Sequence, residues 1–188
     1  MLPDRIKTQR LQLRPFILQD VPDVLAYAGD LEYARYQSGP WPFRQQEAEA
    51  FVGDLVARDR AIRPTWAITR DGVVSGIVVL SFEPGSSVAW LGYGLGKALW
   101  GKGFAQEAVR AVLGPAFDGV HQLERIGART DSRNVRSRRL LQKLGFLPDT
   151  VVPPTEFVRG ERVRAAIYRL LREEWKSGTD HGEMRLTA

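Results

Sequence analysis

The sequence predicts an α/β (α+β) protein with a mixed, mostly antiparallel central sheet of about seven strands and helices on both faces. Three observations lead there. Apolar residues recur with a helical period early in the chain, alternate with a period of two from Thr65 to Leu95, and then return to helices separated by single strands. Strands joined by tight turns form an antiparallel meander, whereas strands separated by a helix read as crossovers, and both kinds occur here. Finally, 188 residues, 44% of them hydrophobic, suffice to bury a core under two helical layers.

Leu11 to Phe16 alternates apolar and polar residues and reads as a first strand closed by Pro15. Gln19 to Gly29 reads as a helix with Asp20 near its start and Gly29 as its stop. Tyr33 to Phe43 is aromatic and broken by Gly39, Pro40 and Pro42, hence a loop. A second helix covers Gln45 to Arg58, with Ala48, Phe51, Val52 and Leu55 on its apolar face. Thr65 to Thr69 and Val73 to Phe82 form a hairpin about Asp71-Gly72, and Pro84-Gly85 turns the chain into a strand from Val88 to Leu95. A helix from Gly103 to about Phe117 is expected to end or kink at Gly114-Pro115. Leu123 to Thr130 is a strand and Asn134 to Leu144 a helix, with Gly145 as a left-handed cap that lets Phe146 pack on Leu141. Strands near Phe146 to Val152 and Arg162 to Leu171 complete one domain over residues 1–176, and a polar tail covers residues 177–188.

Composition removes several function classes. With no cysteine and only two histidines, disulfides, thiolate chemistry and a histidine metal centre are unexpected, so no metal is predicted. No apolar run reaches membrane-spanning length, and the first residues lack the apolar stretch of a secretory signal; a cytoplasmic protein without a membrane partner is the expectation. The net charge of +5 favours an anionic partner, either nucleic acid or a multiply phosphorylated small molecule. Of the 27 basic residues only five are lysines, and the arginine fork suits phosphate.

The stretch from Leu91 to Ala108 discriminates between those partners. A strand runs into a glycine-rich loop, and the loop opens a helix at Gly103. Unpaired amides and the dipole at a helix start attract anions, and Gly101 and Gly103 let a ligand approach the backbone. Lys97 and Lys102 add positive charge. Gly96 to Lys102 has the spacing of a P-loop, but Gly103 follows where a magnesium-binding hydroxyl is needed. The dinucleotide pattern G-x-G-x-x-G also fails, because its third glycine falls on Gln106 or Leu99.

Two segments together, L-G-Y…W-G-K-G-F-A-Q-E-A and N-V-R-S-R-R-L-L-Q-K-L-G-F, resemble the GNAT acetyltransferases, in the branch typified by the ribosomal-protein N-terminal acetyltransferases RimJ and RimL. The opening Thr8-Gln-Arg-Leu-Gln-Leu-Arg-Pro-Phe16 also looks like that branch's first strand, so the similarity runs from about Thr8 to Leu171. The chain departs from the pattern twice. Ala98 stands where the pyrophosphate signature usually has Arg or Gln, and Trp90 stands where many relatives carry an acid before L-G-Y.

The resemblance implies an N-acetyltransferase that uses acetyl-CoA and a primary amine acceptor, a protein N-terminus or a small molecule, by direct attack. It implies that Gly101, Lys102, Gly103, Phe104 and Ala105 meet the pyrophosphate. Gly92 and Gly94 would sit at a bulge in splayed strands, amides near Gly94 and Leu95 would hold the thioester oxygen, and Tyr93 would wall the groove. Asn134 reads as a helix N-cap and by resemblance would also reach the pantetheine, and Ser137 would either protonate the departing thiolate or bond back to its own helix. Arg136, Arg138 and Arg139 either meet the adenosine 3′-phosphate or form a solvated face. Tyr33 to Phe43 would make the acceptor pocket, with Tyr36, Trp41 and Phe43 either lining it or serving as plain packing, and Glu83 is either a candidate base or a turn carboxylate. Glu107 reads as a helix-start contact. A homodimer is compatible with this reading. The competing readings are a GNAT module that binds acetyl-CoA without catalysis, and a nucleic-acid-binding domain using the basic helix at Arg133 to Arg139.

Overall fold

The computed structural model describes residues 2–37, 39, 42–158 and 161–176. The strands are β1 (Ile6–Lys7), β2 (Gln12–Arg14), β3 (Thr65–Arg70), β4 (Val73–Phe82), β5 (Val88–Leu95), β6 (Arg125–Asp131), β7 (Leu147–Val158) and β8 (Glu161–Leu171). The helices are α1 (Val21–Ala28), α2 (Leu31–Ala34), α3 (Gln45–Ala57), α4 (Phe104–Gly119) and α5 (Val135–Lys143). The eight strands form one sheet in the order β1-β2-β3-β4-β5-β6-β8-β7. Every pairing is antiparallel except β5 with β6. The expected mixed sheet is present, with one strand more than the sequence reading counted.

The extra strand is β1. Its two residues are too few to show a period, and the hairpin with β2 is held by a side chain: Thr8 Oγ1 accepts from the Leu11 amide at 2.9 Å. At the next hairpin the turn chemistry predicts the geometry. Asp71 and Gly72 both have positive φ, 53° and 85°, as a type I′ turn requires.

Each face of the sheet carries a core. On one side α1 and α3 cover β3 and β4, burying Val24, Ala48, Val52 and Ala67 among others. On the other, α4 and α5 pack over Trp66, Ile68, Leu80, Leu91 and Ile126. Neighbouring residues of β3 therefore face opposite cores, and Thr65 to Thr69 are all buried. Asp20 precedes α1 and is itself buried. It takes two hydrogen bonds from Arg14, at 2.7 and 2.8 Å, and one from the Ile17 amide, so its charge is fully paired.

Several boundaries differ from expectation. α4 does not end at Gly114-Pro115 but continues to Gly119. Gly114 offers no Cβ for the proline ring to strike, and the last turn is anchored by buried Ala116 and Phe117. Arg172 then donates to the carbonyls of Phe117 and Val120, which the helix end leaves open. Tyr33, expected in a loop, lies in the one-turn helix α2, which Asp30 caps by accepting from the Glu32 and Tyr33 amides. β7 runs on to Val158 through Pro153 and Pro154. It is an edge strand, where a missing N–H costs nothing, and its register shifts between Val152 and Glu156, where the prolines sit. α5 closes as expected: Gly145 has φ 90°, its amide donates to Gln142 O, and the Phe146 amide donates to Leu141 O. The tail from Ser177 and Trp41 lie outside the described residues.

Candidate active site

β5 and β6 pair in parallel only from Val88–Leu91 with Arg125–Ala128. Beyond that point β5 continues beside β4 through Leu95, and β6 continues beside β8 through Asp131, so the two strands part. The expected bulge at Gly92 and Gly94 is absent, because β4 and β5 keep an uninterrupted register from Gly76↔Leu95 to Phe82↔Ala89. Backbone groups are freed by the splay instead. The gap opens into a cleft of about 650 Å³, walled by Leu91 to Leu95, the Gly101 to Gln106 region, β6, α5 and α2.

Strand alternation decides which groups of β5 face the gap. The Gly94 carbonyl points at β4, 2.5 Å from where a Cβ on Gly76 would lie, and the Gly96 amide donates to Ser75 O. The intervening Leu95 and, two residues back, Tyr93 therefore turn their amides and carbonyls to the open side. The Leu95 carbonyl is already engaged, accepting from Trp100 Nε1 at 2.6 Å. Of the two amides named from the sequence, the one at Leu95 is positioned to donate into the cleft.

The loop at the mouth of the cleft presents backbone donors of a kind that suits an anion. Gly101 and Gly103 have φ of 74° and 80°, so the turn into α4 uses conformations that side chains resist. Gly103 caps α4 without any side-chain bond, and the first helical amide with a partner is Glu107, which donates to Gly103 O. The amides of Phe104, Ala105 and Gln106 precede it and their residues line the cleft. An anionic diphosphate fits three such donors at a positive helix end. Lys102 does not line the cleft; its ammonium donates to Ala98 O at 2.9 Å. Glu107 braces the loop from behind, as a helix-start contact. It accepts from Thr8 Oγ1 at 2.6 Å and from the Arg10 amide and Nε at 2.8 and 2.7 Å. Burial alone would raise this carboxyl, but those hydrogen bonds and the Arg10 charge hold it below its ordinary value.

Across the gap, Asn134 caps α5: its Oδ1 accepts from the Ser137 amide at 3.1 Å, leaving Nδ2 for a ligand. Ser137 is half-buried, and its Oγ lies 2.7 Å from the Tyr93 hydroxyl, which also donates to Ser137 O at 3.2 Å. Burial pushes the Tyr93 phenol up to about 12 against the opposing hydrogen bond with Ser137, so it stays protonated at neutral pH. The arginines of α5 divide. Arg136 and Arg139 line the cleft, Arg136 lying 4.5 Å over the Trp100 ring. Arg138 turns away, donating to the Tyr168 hydroxyl and to Ser132 O, and Arg133 is bound by Asp131 and Glu161. The basic run is thus partly consumed within the domain rather than displayed as one surface.

The acceptor side differs most from the sequence reading. Tyr36 lines the cleft, but Phe43 packs edge-on against Phe51 at 6.1 Å in the α1–α3 core. Glu83 does not line it either: it is exposed beyond the far end of β4 and accepts from Trp90 Nε1 at 2.7 Å. A loop carboxylate had no sequence signal for that distance, since only the strand order places it at the closed end of the β5–β6 pair. Tyr33 and Tyr36, inside the segment expected to form the acceptor pocket, line the cleft, and so does Glu32, which the sequence reading left just outside it. Tyr33 reaches Gly94 so closely that a Cβ there would lie 2.4 Å from the phenol oxygen. The signal available was Asp30, a helix cap two residues before Glu32.

Comparison with known proteins converges on this geometry. The Acetyltransferase (GNAT) domain profile matches residues 10–147. The N-acetyltransferase p20 of Bacillus licheniformis is 28% identical over 177 residues, covering 92% of this chain and 98% of its own. An acetyltransferase structure from T. thermophilus superposes with a TM-score of 0.85 at 29% identity, over 99% of this chain and 98% of that one. A structure from Vibrio cholerae named as a ribosomal-protein-serine acetyltransferase gives 0.73 at 26% identity, over 91% and 99%. Matching the profile across both the glycine-rich loop and the serine-bearing helix, the chain belongs to the GNAT acetyltransferase family and is an acetyl-CoA-dependent N-acetyltransferase.

Proposed function

We propose that the acceptor is a primary α-amine, foremost the N-terminus of a protein, and that it attacks acetyl-CoA directly. The observation that carries the direct attack is the split between β5 and β6, which sets the Leu95 amide and Tyr93 on the β5 wall of one gap and Ser137 on the α5 wall facing them. Acetyl-CoA supplies the activated acetyl group. The α4 amides and Asn134 bind its diphosphate and pantetheine parts, and the Leu95 amide donates to the thioester oxygen as charge develops there. Ser137 gives its proton to the departing sulfur and regains one through Tyr93 or solvent. No cysteine exists to carry an acyl-enzyme.

The choice of an α-amine follows from the missing acid at position 90. An α-amine titrates at about 7.7–8.0 and is partly neutral at pH 7, whereas lysine at about 10.4 needs more help. The Vibrio cholerae structure is named for a protein acceptor, which favours a protein over a small molecule. The test is acetylation, with labelled acetyl-CoA, of lysine-containing peptides with free or blocked N-termini, alongside a panel of polyamines, aminoglycosides and amino acids. Label on the free α-amine supports the reading; label confined to lysine or to small amines overturns the preference. Tight CoA binding with no acetylated product would instead support a binding module, and salt-sensitive nucleic-acid affinity without CoA affinity a nucleic-acid domain. With no helix among the described residues long and apolar enough to cross a membrane, we further take the enzyme to act in the cytoplasm.

A further inference from the structure

Two carboxylates line the cleft, Glu32 and Asp131, and they differ in what already holds them. Asp131 is buried and accepts from the Arg133 amide and from its Nε and Nη2, so its charge is neutralised in place. Glu32 makes no hydrogen bond or ion pair through its carboxylate among the described residues, and the turn that carries it is set by Asp30 rather than by Glu32 itself. The next residue, Tyr33, rests on Gly94, just past the point where β5 leaves β6. α2 therefore hangs Glu32 over the reacting end of a cleft whose opposite wall is cationic, with Arg136, Arg139 and Lys143.

The geometry points to Glu32 as the specificity-determining residue for the acceptor: its carboxylate draws a cationic amine to the α2 side of the cleft and away from the α5 wall. This rests on the amine reading above. Turning an ammonium and a thioester into an amide and a thiol releases one net proton. The ammonium loses two protons as the C–N bond forms and the C–S bond breaks; one ends on the coenzyme sulfur, and the other leaves past Glu32 to solvent. A charge-assisted hydrogen bond from the ammonium to Glu32 marks the route.

The experiment compares wild type, Glu32→Gln and Glu32→Asp on the best amine acceptor found in the labelled acetyl-CoA panel, with the Tm shift produced by CoA measured in parallel. Glu32→Gln should lower kcat/KM about tenfold or more, mainly through KM, with the CoA-induced Tm shift unchanged, and Glu32→Asp should recover part of the loss. Wild-type turnover with Glu32→Gln within twofold overturns this inference alone, as does a parallel loss of CoA binding. A wild-type enzyme that acetylates no amine in the panel overturns the amine reading and this inference with it.

Discussion

Gly94→Ala tests the seam between α2 and β5 directly. The new methyl would stand 2.4 Å from the Tyr33 hydroxyl oxygen and 3.1 and 3.2 Å from two ring carbons. The first distance is impossible without movement, whereas the other two are tight but adjustable. Tyr33 cannot simply back away, because its ring packs edge-on against Tyr27 at 5.2 Å. Overpacking of this kind costs about 1–3 kcal/mol, and a Gly-to-Ala change returns about 0.4–1 kcal/mol by restricting the unfolded chain. The expected net loss is therefore about 1–2 kcal/mol. Tyr33→Phe removes only the worst contact and should be nearly neutral alone, within about 0.5 kcal/mol. In the double variant the penalty should shrink, giving a coupling of about 1 kcal/mol. Urea midpoints of the four proteins, with unchanged slopes, measure this cycle, and kcat/KM should fall in Gly94→Ala and partly return in the double variant. A Gly94→Ala penalty that is equal in both backgrounds would refute the reasoning, since Tyr33 would then not be what the methyl meets.

The other predictions concern the loop, the proton donor and acid stability. Gly103→Glu places a bulky anion at φ 80° in the diphosphate loop and should abolish the CoA-induced Tm shift while the protein still unfolds cooperatively; wild-type binding would show the loop misassigned. Ser137→Ala should lower kcat on the order of 100-fold under conditions where chemistry is rate-limiting, with CoA affinity changed by no more than about 1.5 kcal/mol; an unchanged kcat removes Ser137 from the mechanism. Tyr93→Phe should also lower kcat but delete no limb of the pH–rate profile below about pH 10, because a phenol pushed up to about 12 does not titrate there. Glu107 is held below its ordinary value in the folded protein, so its stabilisation is complete above its unfolded pKa of about 4.3 and is lost as pH falls through the lower folded value. Glu107→Gln should therefore unfold more easily at pH 7 while its deficit against wild type narrows below about pH 4, as read by urea unfolding across that range.

What the sequence made legible was local chemistry with one solution. Asp71-Gly72, Gly103 and Gly145 each stand where the backbone needs positive φ, and each marks its turn correctly. The long amphipathic helix α3 and the meander β3–β5 follow from period alone. The misses share a different cause, tertiary contacts that override local preference. Pro115 stays helical because Arg172, 57 positions later in the chain, answers the open carbonyls at the helix end. β7 tolerates Pro153 and Pro154 because no strand among the described residues pairs on its outer side. In the site, the shape of the loop that opens α4 was readable because it resides in backbone and glycine. Phe43 and Glu83 were not, since an aromatic or a carboxylate in a loop does not say which way the fold turns it; Phe43 went to a core and Glu83 to an indole.

The single parallel pairing has a mechanical consequence. Among the described residues, the β1–β5 half of the sheet meets the β6–β8 half over four paired positions, Val88–Leu91 against Arg125–Ala128, with the Glu124 and Arg125 amides donating to Ser87 O at the near end. The sheet resembles a plank split from one end, and bending load collects at the root of the split, beside Leu91 and Ala128. Trp90 lies at that root, its ring pressed so closely on Gly127 that a Cβ there would stand 2.8 Å away, and its indole N–H is tied to Glu83. A tryptophan at this position works as a rivet that stops the crack from running further. A slender molecule lying in the open length touches β5 on one side and β6 and α5 on the other, and so bridges the halves where the sheet itself does not.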